Sequence, residues 1–173
     1  LYGSTVEARP NPGHFALANL EHKVPTFALI TQNVDNLHEQ AGSQNVIHLH
    51  GNIGAFFCNS CRQDHIITED DKVAEMPPTC HACGGMVRPG VVWFGEQLPV
   101  QAIDAAWQAA ESCDVMLVVG TSGIVFPAAH IPMIAQNSGA TMIDVNPDHD
   151  ALSGMADVFL QGPSGSILPQ LIT

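Results

Sequence analysis

The sequence predicts an α/β protein whose parallel sheet carries a small metal-binding insert. Three observations lead there: short, almost wholly apolar runs that end abruptly in polar residues, helical spacing between them, and two Cys-x-x-Cys pairs in mid-chain. Apolar runs too short for a helix read as strands buried on both faces. Strands alternating with helices build a parallel sheet with helices packed on it. Ligands of such sheets gather beyond the carboxyl ends of the strands, so several polar strand tips predict one shared crevice.

Residues 1–12, with Gly3, Pro10 and Pro12, read as a connector, and Asn11 is placed to cap a helix that starts at Pro12 and carries Phe15, Leu17, Ala18 and Leu20. Residues 26–30 are the first buried strand, ending in the polar stretch Thr31-Gln32-Asn33-Val34-Asp35-Asn36-Leu37-His38. Residues 100–112 have helical spacing through Ala102, Ile103, Ala106, Trp107 and Ala110. The second strand, 114–119, ends in Gly120-Thr121-Ser122, and the third, 140–145, ends in Asn146-Pro147. Between them 128–137 reads as a helix despite Pro132, and 156–160 with 168–171 gives a last strand and a closing helix. The β-branched and aromatic run 91–94 ends in Gly95-Glu96.

Residues 56–86 interrupt this alternation. Cys58 and Cys61 are followed, after 18 residues, by Cys80 and Cys83. Two such knuckles aim four thiolates at one point, the ligand set of a closed, structural Zn²⁺ site. The charged, proline-containing stretch 68–78 offers little core, so the insert is expected to depend on its metal for folding. His65 and His81 lie close by and are expected to be exposed bystanders. The resulting organisation is a main domain of residues 1–55 and 87–173 with a zinc module at 56–86.

Composition narrows the partners. Charged residues are 13% of the chain and the net charge is −12, from 17 acidic and 5 basic residues. Such a surface repels phosphate backbones, which argues against nucleic acid and is compatible with a lysine-bearing partner. No apolar run approaches a membrane span. Four cysteines in metal spacing and a fifth, Cys113, in an apolar stretch imply a reducing, cytoplasmic setting. The oligomeric state is not encoded in any of these features.

Candidate chemistry sits at the strand tips. His50 precedes Gly51 after a short apolar run, where a neutral imidazole can take a proton near neutral pH; by that test His38 and His48 qualify equally. Asn33 and Asp35 can order a water or accept from an amide, and can equally be helix caps. Gly120, Thr121 and Ser122 form a turn suited to a phosphate or ribose.

Taken together, Thr31 to His38, His50-Gly51, the two Cys-x-x-Cys knuckles, Pro89-Gly90-Val91-Val92-Trp93-Phe94-Gly95-Glu96, and Gly120-Thr121-Ser122 with Pro127-Ala128 resemble the sirtuins, NAD-dependent protein lysine deacylases. The resemblance implies a Rossmann-like fold and NAD and Zn²⁺ as cofactors. It makes His50 the general base acting on the NAD ribose hydroxyls, after the acyl-lysine amide oxygen has attacked the anomeric carbon and expelled nicotinamide. Asn33 and Asp35 match the catalytic residues lining the nicotinamide pocket, with Gln32 and Val34 beside them at the ribose. Gly120, Thr121, Ser122 and Asn146 match contacts to the rest of the dinucleotide, and Ser164 stands near adenine. Residues Val92, Trp93, Phe94, Gly95 and Glu96 resemble the strand that pairs with the main chain of the acyl-lysine peptide. The metal ligands are Cys58, Cys61, Cys80 and Cys83.

Departures from the family pattern set further expectations. No glycine-rich pyrophosphate loop precedes residue 27, and the flexible segment with its phenylalanine and arginine is absent, so the chain resembles a sirtuin without its N-terminal part. Tyr2 and Arg9 do not have the spacing associated with acidic acyl groups, which leaves deacetylation and desuccinylation both open. ADP-ribosyl transfer, NAD hydrolysis, or a module that binds acyl-lysine peptides without turnover are the alternatives.

Overall fold

The computed structural model describes residues 8–73 and 76–172. Most of the connector at 1–12, with Tyr2, and part of the charged stretch at 68–78 lie outside the described residues.

The first helix, α1 (Pro12–Glu21), starts where its cap predicts: Asn11 Oδ1 accepts from the amides of Gly13 and His14, and the His14 ring accepts from the Asn11 amide. This is a capping box with histidine in the place usually held by Glu or Gln. Next come β1 (Leu29–Thr31), a four-residue helix α2 (Leu37–Gln40) and β2 (Val46–His48), which pairs with β1 in parallel. The strand expected at 26–30 is thus shifted, because only Leu29, Ile30 and Thr31 find partners in the three-residue β2.

Antiparallel strands β3 (Gly51–Cys58) and β4 (Val87–Val91) form the stem of the cysteine-bearing insert, which also holds α3 (Glu69–Val73). The chain then alternates: α4 (Val100–Ser112), β5 (Val115–Val119), α5 (His130–Asn137), β6 (Thr141–Asn146), β7 (Val158–Gln161) and α6 (Ser164–Leu171). Pro132 is tolerated because it falls in the first turn of α5, where its missing N–H has no helical acceptor.

Strands β5, β6 and β7 make a parallel ladder in that order. Among the described residues no ladder bonds join it to β1–β2, so the predicted sheet is present as two parallel ladders, tied by packing and by contacts at their tips. Residues alternate along β5 as a strand buried on two sides requires. Leu117 and Val119 pack with Val145 under α1 and α6 around Ala16 and Leu168, while Met116 and Val118 face the opposite way. On that side Ile103, Ala106 and Ala110 of α4 meet Ile131 and Ala135 of α5, and Ile30, Ile47 and Leu49 join the same core.

One residue in this core breaks the pattern. Asp144 on β6 is 0% exposed and neither carboxylate oxygen has a hydrogen-bond partner. Burial and then the charge of Asp150 push its carboxyl above the ordinary range, with His149 opposing them. A carboxyl raised on folding favours the folded state only while protonated, so stability falls as pH climbs through the interval between its unfolded and folded values. Asp144→Asn is therefore expected to stabilise the protein at pH 7, the gap closing as pH falls to the ordinary carboxylate range and below. Urea denaturation of parent and variant across that range measures it; equal curves at pH 7 would contradict it.

Candidate functional site

The site grows from the tip of β1. There the chain leaves the sheet through four consecutive carbonyls, and each is held by the segment just after β2. Thr31 O accepts from the Leu49 amide at 3.0 Å and Val34 O from the Ile53 amide at 2.7 Å. Between them, Gln32 O faces His50 Nδ1 at 3.1 Å and Asn33 O faces His48 Nδ1 at 3.4 Å. Thr31 Oγ1 adds a bond from the Asn33 amide at 3.1 Å.

This arrangement separates three histidines that are equivalent in sequence. His48 uses its second nitrogen as well, against Glu39 at 2.6 Å, so neither ring nitrogen is free. His38 is packed against His14 with ring centroids 4.7 Å apart, and its Nδ1 is buried without a partner. Burial and then His14 push the His38 imidazole below its ordinary value, which keeps it neutral. His50 alone combines an anchored Nδ1, which donates to a carbonyl, with an Nε2 that has no partner among the described residues. The carbonyl fixes the tautomer, because Nδ1 must carry the proton and Nε2 must then be the basic nitrogen. Gly51 follows at φ +75, and a Cβ there would lie 1.9 Å from Gly90 O, so the chain can reverse into β3 directly behind His50 only with glycine.

The strand tips expected to border one crevice are joined by a chain of contacts. Gln32 Nε2 beyond β1 donates to Thr121 Oγ1 beyond β5 at 3.2 Å, and Asn146 Nδ2 at the end of β6 donates to Thr121 O at 3.1 Å. Asn146 is itself oriented by Asp150 at 2.8 Å. Gly120 is exposed, and a Cβ built on it would meet nothing within 4 Å, so its backbone borders open space. Ser122 and Asn33 are exposed beside these tips, and Val34 is half-buried. Asp35 takes the capping role as well, accepting from the Leu37 amide at 3.1 Å through one oxygen. Ser164 opens α6 with its backbone against Gly13 and makes no side-chain bond to the other tips among the described residues.

Residues 92–96 depart from expectation. They do not continue β4 but form a turn in which the Glu96 amide bonds Trp93 O at 2.9 Å and the Glu96 carboxylate takes the Trp93 amide at 2.9 Å. The aromatic run reads as a strand locally, but a side chain three residues on folds it back. Its root is fixed to the site, since the Val92 amide donates to His50 O at 2.9 Å. Sequence reasoning also passed over Glu39, Asp150 and Arg88, which orient His48, Asn146 and Glu96. No local pattern flags them, because each partner is set by the fold.

The four knuckle cysteines converge as predicted, their sulfurs all within 4.8 Å of one another. Cys58 and Cys83 are 3.5 Å apart and Cys61 and Cys80 3.6 Å, far beyond a disulfide. Tetrahedral Zn²⁺ with 2.3 Å bonds needs sulfur separations of about 3.8 Å. The set therefore fits that ion. Amides of Cys61 and Ser60, against the effect of burial, draw the Cys58 thiol down to about 6, with the neighbouring sulfurs adding to the shift. Cys61, although the Gln63 amide pulls the other way, is pushed up by Cys83, by burial and by the remaining sulfurs. Cys58 thus gives up its proton readily, whereas Cys61 holds its own more tightly. His65 is a correction: its side chain is 8% exposed, paired with Asp71 and stacked on His81 at 5.6 Å. Neither histidine belongs to the four-donor cluster.

Comparison with known proteins agrees with this geometry. The Sir2 family description matches residues 2–127. NAD-dependent protein deacylase 2 of Pyrobaculum aerophilum is 50% identical over 165 residues, covering 95% of this chain and 66% of that protein. The NAD-dependent protein deacylase of Pyrococcus furiosus is 47% identical over 171 residues, covering 96% and 68%. The crystal structure of a Sir2 homologue–NAD complex superposes with a TM-score of 0.91 at 44% identity, covering 97% of this chain and 65% of that one. A Sir2 bound to acetylated peptide gives 0.90 at 32% identity, covering 97% and 71%. The chain belongs to the Sir2 family. It spans about two thirds of the length of the curated relatives it matches.

The metal site yields a direct test. Among the described residues, Phe56 alone adds apolar packing around Cys58, Cys80 and Val87, too little to hold the insert without an ion. One equivalent of zinc per chain is expected, with chelation unfolding the β3–β4 insert and Cys61→Ser losing the metal. Metal analysis and circular dichroism read it; a folded insert without zinc would overturn it.

Proposed function

We propose that the chain carries the catalytic site of an NAD-dependent protein lysine deacylase, which consumes NAD and an acylated lysine and yields nicotinamide, an O-acyl-ADP-ribose and the free amine. The observation that carries this reading is His50, with Nδ1 held by Gln32 O and Nε2 without a partner among the described residues, beside the converging strand tips.

In this reading Nε2 of His50 takes a proton from a ribose hydroxyl, and the Gln32 carbonyl stabilises the ring as it becomes cationic. Gln32, already at Thr121, lies on the ribose side. Asn33 and the second oxygen of Asp35 present amide and carboxylate groups to the nicotinamide carboxamide and to a water, with Val34 between them. Gly120 lets the dinucleotide approach the backbone closely, Thr121 and Ser122 offer hydroxyls, and Asn146, whose two amide protons are taken by Thr121 O and Asp150, offers its Oδ1 to a ribose hydroxyl. Ser164 borders the adenine end. Val92 to Glu96 bind the peptide main chain, which gives affinity without reading side chains. Cys58, Cys61, Cys80 and Cys83 hold a structural zinc in the module at 56–86, away from the chemistry.

The physiological setting in this reading is a reducing cytoplasm, where thiolates stay metal-bound. No helix of the described residues is long and apolar enough to cross a membrane. With 17 acidic residues against 5 basic ones, protein lysines and not nucleic acids are the fitting partners.

Nicotinamide release from NAD, measured with acetyl-lysine and separately with succinyl-lysine peptides in the full-length protein, tests the reaction and its acyl preference. Release that requires the acylated peptide supports deacylation; release without it identifies NAD hydrolysis. His50→Ala is expected to lower the acyl-lysine-dependent rate by about 100-fold or more, with zinc content and melting temperature unchanged. A parental rate in that variant would place the base elsewhere.

A further inference from the structure

We propose that Arg88 is a positioning residue for peptide binding: by clamping Glu96 it determines which main-chain groups of residues 92–96 face an incoming acyl-lysine peptide. The proposal rests on the deacylase reading above.

Arg88 lies on β4, one residue after Val87, which packs on Cys58 and Cys80. Its guanidinium meets the Glu96 carboxylate through two bonds, Nη1 to Oε1 at 2.5 Å and Nη2 to Oε2 at 2.9 Å, and Nη2 also donates to Val91 O at 2.9 Å. The same guanidinium lies 5.6 Å from the ring centre of Phe57 and 5.3 Å from that of Trp93. Glu96 in turn accepts the Trp93 amide, closing the turn. Hydrogen bonds from Arg88 and then from Trp93 hold the Glu96 carboxyl below its ordinary range, so the pair stays ionised at neutral pH.

The consequence is a sorting of backbone groups. The Val92 amide is taken by His50 O, and the amides of Trp93 and Glu96 and the carbonyls of Val91 and Trp93 are engaged within the clamp and turn. The Val92 carbonyl and the amides of Phe94 and Gly95 have no partner among the described residues, and the Phe94 side chain is fully exposed. These groups are the ones in the segment's first half that remain open to a main-chain partner. Without the clamp, the Trp93 amide and the Val91 carbonyl are released and the open groups have no fixed register. A planar fork matches both carboxylate oxygens and the carbonyl together; an ammonium group does not.

The test compares Arg88→Met, Arg88→Lys and Glu96→Gln with the parent in the full-length protein, using an acetyl-lysine peptide. The KM for peptide is expected to rise about ten-fold or more in Arg88→Met, with only partial recovery in Arg88→Lys. In the two arginine variants the KM for NAD, the zinc content and the rate at saturating peptide should change by less than about two-fold. An unchanged peptide KM in both arginine variants, or a fall in kcat with KM unchanged, overturns the positioning role. Should Arg88→Met fail to fold, Arg88→Lys and Glu96→Gln decide by the same split. If the parent itself shows no acyl-lysine-dependent release, the deacylase reading fails and the proposal falls with it.

Discussion

The hydrogen bonds on the four carbonyls from Thr31 to Val34 are the constraint on which the rest of the site depends. A chain leaving a buried strand must satisfy its backbone acceptors at once, since an unpaired carbonyl away from water costs on the order of 1–3 kcal/mol. Two are met by amides and two by imidazole rings. Satisfying the backbone and orienting the histidines are therefore the same event: the bond that makes the loop foldable also decides which nitrogen of His50 is basic. The His48–Glu39 pair does the same for the next residue and leaves that ring no capacity for proton transfer.

From this anchor the site spreads by contacts between strand ends. Gln32, Thr121 and Asn146 come from three different strands, and their bonds join ladders that share no backbone pairing among the described residues. The strand tips are thus held together by their side chains and by helices α4 and α5 packed beneath. The insert is supported otherwise, by thiolates clustered at the far end of a two-stranded stem whose near end abuts His50.

Much of this was legible in the sequence, and the illegible parts share a cause. Helix α4 has its predicted bounds because Ile103, Ala106 and Ala110 recur on one face, and α1 because Asn11 and Pro12 mark its start. The cysteine cluster follows from spacing, as do the polar tips of β1, β5 and β6. The failures lie in what each group meets once the chain is folded. Residues 26–28 are apolar enough for a strand, but β2 is too short to pair with them. Trp93 and Phe94 look extended until Glu96 turns back on them. His38, His48 and His50 differ only in what faces their ring nitrogens, and His65 is covered by a partner six residues away. Asp144 sits in an apolar run where its alternation points it inward, and nothing in the string shows that its oxygens find no donor.

The stem of the insert has an evolutionary consequence. Gly51 is paired with Val91, so the roughly forty residues between them enter and leave the main domain at adjacent points, about 5 Å apart in an antiparallel pair. A change of length between Cys58 and Val87, beyond the paired stem, therefore leaves the register of every strand in the parallel ladders untouched. The outer part of the segment is a cassette, whereas its root is tied to the tip of β1 through Ile53 and to the turn at 92–96 through Arg88.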